Sequence, residues 1–161
     1  MIVYLWRHGK AESSSSTGQD EDRVLAPEGR NEVIDIADHC FNVKGLPKPE
    51  KIFASPYLRA KESAEMAQGF LACPKGLEIV PDLKSGAAFP AMVSVLSRKA
   101  KDLKALAVVG HVPDLETLAM GLAAGAEVHL KTGGLVQIEI AGLAEPHQGR
   151  VLFSVNPDNI L

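Results

Sequence analysis

The sequence of 161 residues predicts an α/β protein with a mainly parallel sheet and helices on both of its faces. Three observations predict it. Short strand-like runs alternate with helical stretches through most of the chain, the pattern of successive β-α-β units. The runs at 2–6 and 105–109 are almost wholly apolar, as strands covered on both faces must be. No internal repeat or linker interrupts the order, so residues 1–161 are expected to form one domain.

The elements follow in chain order. Ile2-Val3-Tyr4-Leu5-Trp6 is a β-branched and aromatic run that ends at Arg7-His8-Gly9 and reads as a central strand. Residues 13–22 are polar, low in complexity and aperiodic, which predicts an exposed mobile loop. Pro27 opens a helix, where its missing N–H costs nothing, and Glu28 in the first turn suits the helix dipole. Val33, Ile34, Ile36, Ala37, Cys40 and Phe41 form its apolar stripe, and Gly45 and Pro47 stop it. A strand at 51–54 ends at Ser55-Pro56, and a helix at 57–71 carries Ala60, Ala64, Ala67 and Phe70. A strand at 77–80, a helix at 90–101 and a strand at 105–109 follow, the last ending at Gly110-His111. Pro113 opens a helix over 114–123. The strands at 135–141 and 151–155 are separated only by a turn-rich segment with Gly142, Pro146 and Gly149, which predicts an antiparallel hairpin.

Composition narrows the functional classes. Hydrophobic residues make up 46% of the chain, enough for a real core. Lys+Arg number 17 against 20 Asp+Glu, a formal charge of −3, which argues against a nucleic-acid partner. No apolar run approaches the roughly 18–20 residues that span a bilayer, so no membrane partner is expected. Arg7 and His8 interrupt the apolar start before a secretory h-region could form. Cys40 and Cys73 show neither CxxC nor metal spacing and read as free thiols of a reducing compartment. The expectation is a cytoplasmic protein.

The chemistry is expected where strands end, because open α/β sheets bind ligands beyond the carboxyl ends of their strands. Three such ends carry unusual residues: Arg7-His8-Gly9, Ser55-Pro56 with Arg59 in the next helical turn, and Gly110-His111. Two arginines can clamp and neutralise a phosphoryl dianion, and phosphoryl transfer asks little more of a protein than positioning and electrostatics. An imidazole can also attack phosphorus and form a covalent phospho-enzyme. His8 suits that role, with its backbone held by a buried strand and Gly9 allowing a tight turn beside the ligand. His111 would donate to a nonbridging oxygen, and the helix N-termini after Ser55 and His111 would add backbone N–H groups. His39, His129 and His147 read as helix-face or loop residues. No metal is expected, since no Asp/Glu-His cluster shows ligand spacing and two arginines would repel a cation.

These residues resemble a known family. Leu5-Trp6-Arg7-His8-Gly9-Lys10-Ala11-Glu12 resembles the RHG signature of the histidine phosphatase superfamily. The segment from Ser55 to Ala64 resembles its SPxxRAxxTA block, and Val109-Gly110-His111-Val112-Pro113 its GHxP block. Arg23-Val24-Leu25-Ala26-Pro27-Glu28-Gly29 is similar to its RxLTxxG segment. The short chain and the Lys10-Ala11-Glu12 sequel look most like SixA-type phosphohistidine phosphatases. The resemblance implies a three-layer αβα, phosphoglycerate mutase-like fold with a six-stranded mixed sheet. It implies His8 as the phosphorylated nucleophile, with Arg7, Arg59 and His111 completing the phosphate pocket, Arg23 assisting substrate binding, and no cofactor. The chain departs from the family at Ala26, where a Thr hydroxyl near the pocket mouth is missing, and at Ser63, where Thr is usual.

A further departure is the acid. Larger family members protonate an alkoxide leaving group with a carboxylate, whereas the short stretch here offers only Asp82. General acid catalysis gives typically about 10²–10⁴-fold, which an ester substrate needs. A phosphoramidate expels an imidazole through a labile P–N bond and can take its proton from solvent. The expected substrate is therefore phosphohistidine in a protein. Two alternatives are a small-molecule phosphomonoesterase using Asp82, Glu12 or Glu62 as acid, and a non-catalytic phosphoprotein-binding module. Glu12 and Glu62 otherwise read as surface charges beside Lys10 and Lys61.

Overall fold

The computed structural model describes residues 1–145 and 147–160. The apolar runs form β1 (Ile2–Arg7), β2 (Lys51–Ala54), β3 (Leu77–Ile79), β4 (Ala105–Gly110), β5 (Leu135–Glu139) and β6 (Arg150–Val155). They make one mixed sheet in the order β3-β2-β4-β1-β5-β6. β1 pairs parallel with β4, and β2 parallel with β4 and β3. β5 runs antiparallel to both of its neighbours, so β5–β6 is the expected hairpin. Pro146, expected in its turn, lies outside the described residues.

The helices are α1 (Pro27–Ala37), α2 (Leu58–Leu71), α3 (Phe89–Lys99) and α4 (Asp114–Leu122). Side-chain alternation along β1 divides the core in two, since successive residues of a strand face opposite ways. Val3 and Leu5 join Met92, Leu96, Leu115 and Leu118 of α3 and α4 on one face. Tyr4 and Trp6 join Val33, Ile36, Ala60 and Ala64 of α1 and α2 on the other. The result is the three-layer αβα arrangement that the family resemblance implies.

The elements differ from expectation mainly at their ends. The first helix does not run as one α-helix to Phe41: α1 ends at Ala37 and continues as wider π-helical turns over Asp38–Val43. The change of pitch keeps Cys40 and Phe41 buried, with Phe41 edge-on to Tyr4 at 5.2 Å between centroids. Tyr57 caps α2 rather than starting it. The 13–22 stretch is exposed, yet it is knitted together rather than loose. Ser15 Oγ donates to the Gln19 carbonyl at 2.7 Å, Thr17 Oγ1 donates to Asp22 Oδ2 at 2.5 Å, and Asp20–Asp22 form a 3₁₀ turn. An Ala11–Leu25 bridge closes its base.

Candidate active site

Strand register gathers the site. Arg7 at the end of β1 lies opposite Gly110 of β4, and Ala54 of β2 lies opposite Val109. The next residues, His8, Ser55 and His111, therefore leave three adjacent strands at one level. Arg59 reaches the same place from the first turn of α2. Arg7, His8, Arg23, Arg59 and His111 line one cleft of about 280 Å³, together with Lys10, Ala11, Ser85, Val112 and Thr132.

His8 is 7% exposed. Its Nδ1 lies 2.7 Å from the Gly9 carbonyl, which can only accept, so the proton sits on Nδ1 and Nε2 keeps its lone pair. Arg59 Nε donates to that Nε2 at 3.3 Å. Burial, and then the positive Arg59, Arg7 and Arg23, push the His8 pKa down to about 4 against the opposing pull of the Gly9 carbonyl. The ring is neutral at neutral pH, as a nucleophile must be.

His111 stands across the cleft, its ring centroid 5.3 Å from that of His8. Its Nε2 lies 2.7 Å from Ser55 Oγ. Ser55 is fully buried, and its Oγ also accepts the Tyr57 N–H at 3.2 Å. A buried hydroxyl in that position satisfies its own proton by donating to Nε2, which places the His111 proton on Nδ1. His111 Nδ1 is buried and has no hydrogen-bond partner among the described residues. Burial, then His8 and Arg59, lower the His111 pKa to about 3, with Asp20 opposing. His111 thus offers a neutral N–H donor.

The guanidinium groups are held as firmly. Arg7 Nη1 donates to the Leu130 carbonyl at 2.8 Å, while its Nε is buried without a partner among the described residues. Burial lowers the Arg7 pKa and Glu116 and Glu32 counter it; arginine stays charged regardless. Arg59 is 6% exposed, and its guanidinium carbon lies 5.1 Å from the centroid of the Tyr57 ring. Tyr57 also meets His111 edge-on at 5.1 Å, so one aromatic side chain braces both. Such a cleft can bind a tetrahedral anion and present it to a neutral imidazole.

The other marked residues take the following places. A Cβ at Gly9 would lie 2.3 Å from the Gly29 carbonyl oxygen, so glycine is needed there for backbone packing against α1. Ala26 is the N-cap of α1 with no side-chain hydrogen bond, the position at which a Thr hydroxyl would cap the helix. Ser63 keeps its hydroxyl at work: Oγ donates to the Arg59 carbonyl at 2.7 Å and accepts the Gly9 N–H at 3.0 Å. Asp82, Glu12 and Glu62 all lie outside the cleft lining. Glu62 pairs with Arg30 and accepts the Leu25 N–H, Lys10 pairs with Glu28, and Lys61 approaches Glu65. Thr132, Ser85, Tyr57 and Asp20, which touch the cleft or its arginines, carried no motif to mark them. Among the described residues, no group of three or more His, Cys, Asp or Glu side chains converges as a metal site, and no helix is long and apolar enough to cross a membrane.

Comparison with known proteins decides the family. A sequence profile described as Histidine phosphatase superfamily (branch 1) matches residues 3–84. The chain belongs to the histidine phosphatase superfamily. The profile spans the segments of Arg7-His8-Gly9, Arg23 and Ser55–Ala64. As a histidine phosphatase superfamily member, it shares its fold with the protein histidine phosphatase SixA solved with tungstate, at 21% identity over 99% of both chains and a TM-score of 0.85. A protein from Agrobacterium tumefaciens, provisionally a phosphohistidine phosphatase SixA, matches at 22% identity over 97% of both chains with a TM-score of 0.79. A phosphoserine phosphatase from Entamoeba histolytica, solved with phosphoserine, matches at 14% identity over 99% of both chains with a TM-score of 0.67. No curated protein matches the chain in sequence.

Proposed function

We propose that this histidine phosphatase superfamily protein hydrolyses phosphohistidine in a partner protein through a covalent phosphohistidine on His8. The observation that carries the reading is the bare Nε2 of His8, flanked by Arg59 and His111, in a cleft whose lining holds no carboxylate. The fold shared with the protein histidine phosphatase SixA supports it, as does the tungstate in that structure, an oxyanion shaped like phosphate.

In the first step the Nε2 lone pair of His8 attacks phosphorus. An N–P bond forms in line as the P–N bond to the leaving imidazole breaks, its electron pair staying on that imidazole, which takes a proton from solvent. The positive charge gained by His8 is stabilised through Nδ1–H and the Gly9 carbonyl. Arg7, Arg59, Arg23 and the Nδ1–H of His111 hold the equatorial oxygens, whose charge is the main thing to be stabilised. In the second step water attacks phospho-His8. The N–P pair returns to Nε2, and water's proton leaves with inorganic phosphate. A cleft without an acid suits a leaving group that needs none. A single domain working in the cytoplasm, with no cofactor, completes the reading.

The deciding experiment compares phosphate release from a phosphohistidine protein and from an alkyl phosphomonoester. Faster release from the phosphohistidine is expected. Equal or better turnover of the ester overturns the substrate assignment. A His8→Gln variant that keeps full turnover overturns the covalent route, and full binding with no wild-type turnover would mark a binding module instead.

A further inference from the structure

Asp20, in the serine-rich loop that no motif singles out, holds two of the cleft arginines at once. Its Oδ2 accepts from Arg59 Nη2 at 3.1 Å and its Oδ1 from Arg23 Nη1 at 3.0 Å. Its carbonyl accepts from Arg59 Nη1 at 2.8 Å and from the Arg23 backbone N–H at 3.2 Å. Resting on the phosphate-pocket reading above, we infer that Asp20 is a positioning residue for the phosphoryl group: it holds Arg59 and Arg23 in binding geometry before the anion arrives.

Three features support this over simple surface pairing. Of the five N–H groups of a guanidinium, those of Arg59 give two to the Asp20 carbonyl and Asp20 Oδ2 and one to His8 Nε2, which leaves two for phosphoryl oxygens in addition to the Nε–H that an arriving anion would take over. Asp20 does not line the phosphate cleft; it lines a neighbouring depression with Ser13, Gly18 and Gln19. It therefore bonds Arg59 and Arg23 from the depression beside the cleft. The third feature is charge. Arg7, Arg23 and Arg59 gather in one cleft, and three like charges there repel when no dianion separates them. Arg7 has Glu116 and Glu32 nearby, while Asp20 is the carboxylate bonded to both of the others.

The loop is built to deliver it. Arg23 Nε donates to the Glu12 carbonyl at 2.8 Å, and Glu12 N–H to the Val24 carbonyl at 2.8 Å. These bonds close the two ends of a compact loop. Ser15 and Thr17 pin the turn at its far side, so the polar residues of the stretch serve the placement of Asp20.

The test is orthovanadate affinity of the wild type, Asp20→Ala, Arg59→Ala and the double variant, with unfolding midpoints measured alongside. Asp20→Ala is expected to weaken vanadate binding about tenfold, the scale of one charge-assisted hydrogen bond, with its unfolding midpoint near that of the wild type. In the Arg59→Ala background the same substitution is expected to change affinity by less than about threefold, because the partner it acts through is gone. Tighter binding by Asp20→Ala, unchanged binding, an equal loss in both backgrounds, or a loss that only tracks unfolded protein each overturns the inference. The vanadate measurement does not depend on which phosphorylated group is the natural substrate. A wild type that binds vanadate but leaves phosphohistidine untouched fails the functional reading alone, and one that binds no vanadate fails both.

Discussion

Arg59 donates its Nε–H to the unprotonated Nε2 of His8 across 3.3 Å. The residue that would clamp the phosphoryl group thus also touches the atom that would attack it. A bound phosphoryl group would take over this N–H and free the lone pair, so anion binding and exposure of the nucleophile are one event. Replacing Arg59 by Lys keeps the charge but loses the planar fork. Arg59→Lys is expected to lower kcat/KM by at least about tenfold, read from steady-state phosphate release.

The pH dependence follows from the neutral imidazoles. With the His8 pKa held down to about 4 and that of His111 to about 3, kcat/KM for a substrate that does not itself titrate should show no enzyme inflection near 6.5. It should fall only as the pH approaches about 4. Stability carries the same sign. An unfolded histidine takes up its proton near about pH 6.5 while these two do not, so acidification favours the unfolded chain between that pH and about 4. The wild-type unfolding midpoint should drop over that window more steeply than that of His111→Gln.

Ser55 sets the proton of His111. Ser55→Ala removes the hydroxyl 2.7 Å from Nε2 and lets the ring take the other tautomer, with Nδ1 bare. Turnover should fall about tenfold, on the scale of an oxyanion-stabilising donor weakened but not removed. The ¹⁵N shifts of the imidazole should move from the Nδ1–H pattern of the wild type toward the Nε2–H pattern.

Ala26 leaves α1 without a side-chain cap although its φ of −71° and ψ of 157° suit one. Ala26→Ser should stabilise the protein by about 1 kcal/mol, raising Tm by roughly 2–4 °C for a chain of this size. Turnover should be unaffected, which calorimetry and phosphate release would check together.

Gly9→Ala places a methyl 2.3 Å from a backbone oxygen of α1. Backbone cannot swing aside as a side chain can, so a loss of about 1–3 kcal/mol is expected in denaturant unfolding. Turnover should fall with it, since the Gly9 carbonyl holds the His8 proton.

Much of this molecule could be read along the chain. The strand and helix order, the apolar faces of β1 and β4, the placing of His8, Ser55 and His111 at strand ends and that of Arg59 in the first turn of α2 are written in near-neighbour patterns, because hydrophobic period and covalent adjacency are local properties. The break in pitch after Ala37 was less legible: the apolar spacing reads as one helix, and packing of Cys40 and Phe41 against Tyr4 and Trp6 sets the wider turn.

Gly9 and Ala26 show where local reading ends. The motif marks both positions but not the backbone contact at one or the helix cap at the other, since Gly29 is the neighbour of Gly9 only once α1 is packed against β1. Thr132 likewise meets the cleft, and Tyr57 the Arg59 and His111 side chains, through folding alone. The chain order therefore supplied the chemical groups and the strand ends that carry them. Which nitrogen of each histidine holds the proton, and that Asp20 reaches two arginines, arose only from folding. Those facts rest on hydrogen bonds between residues as far apart as Ser55 and His111, and no short stretch of sequence encodes the distance between them.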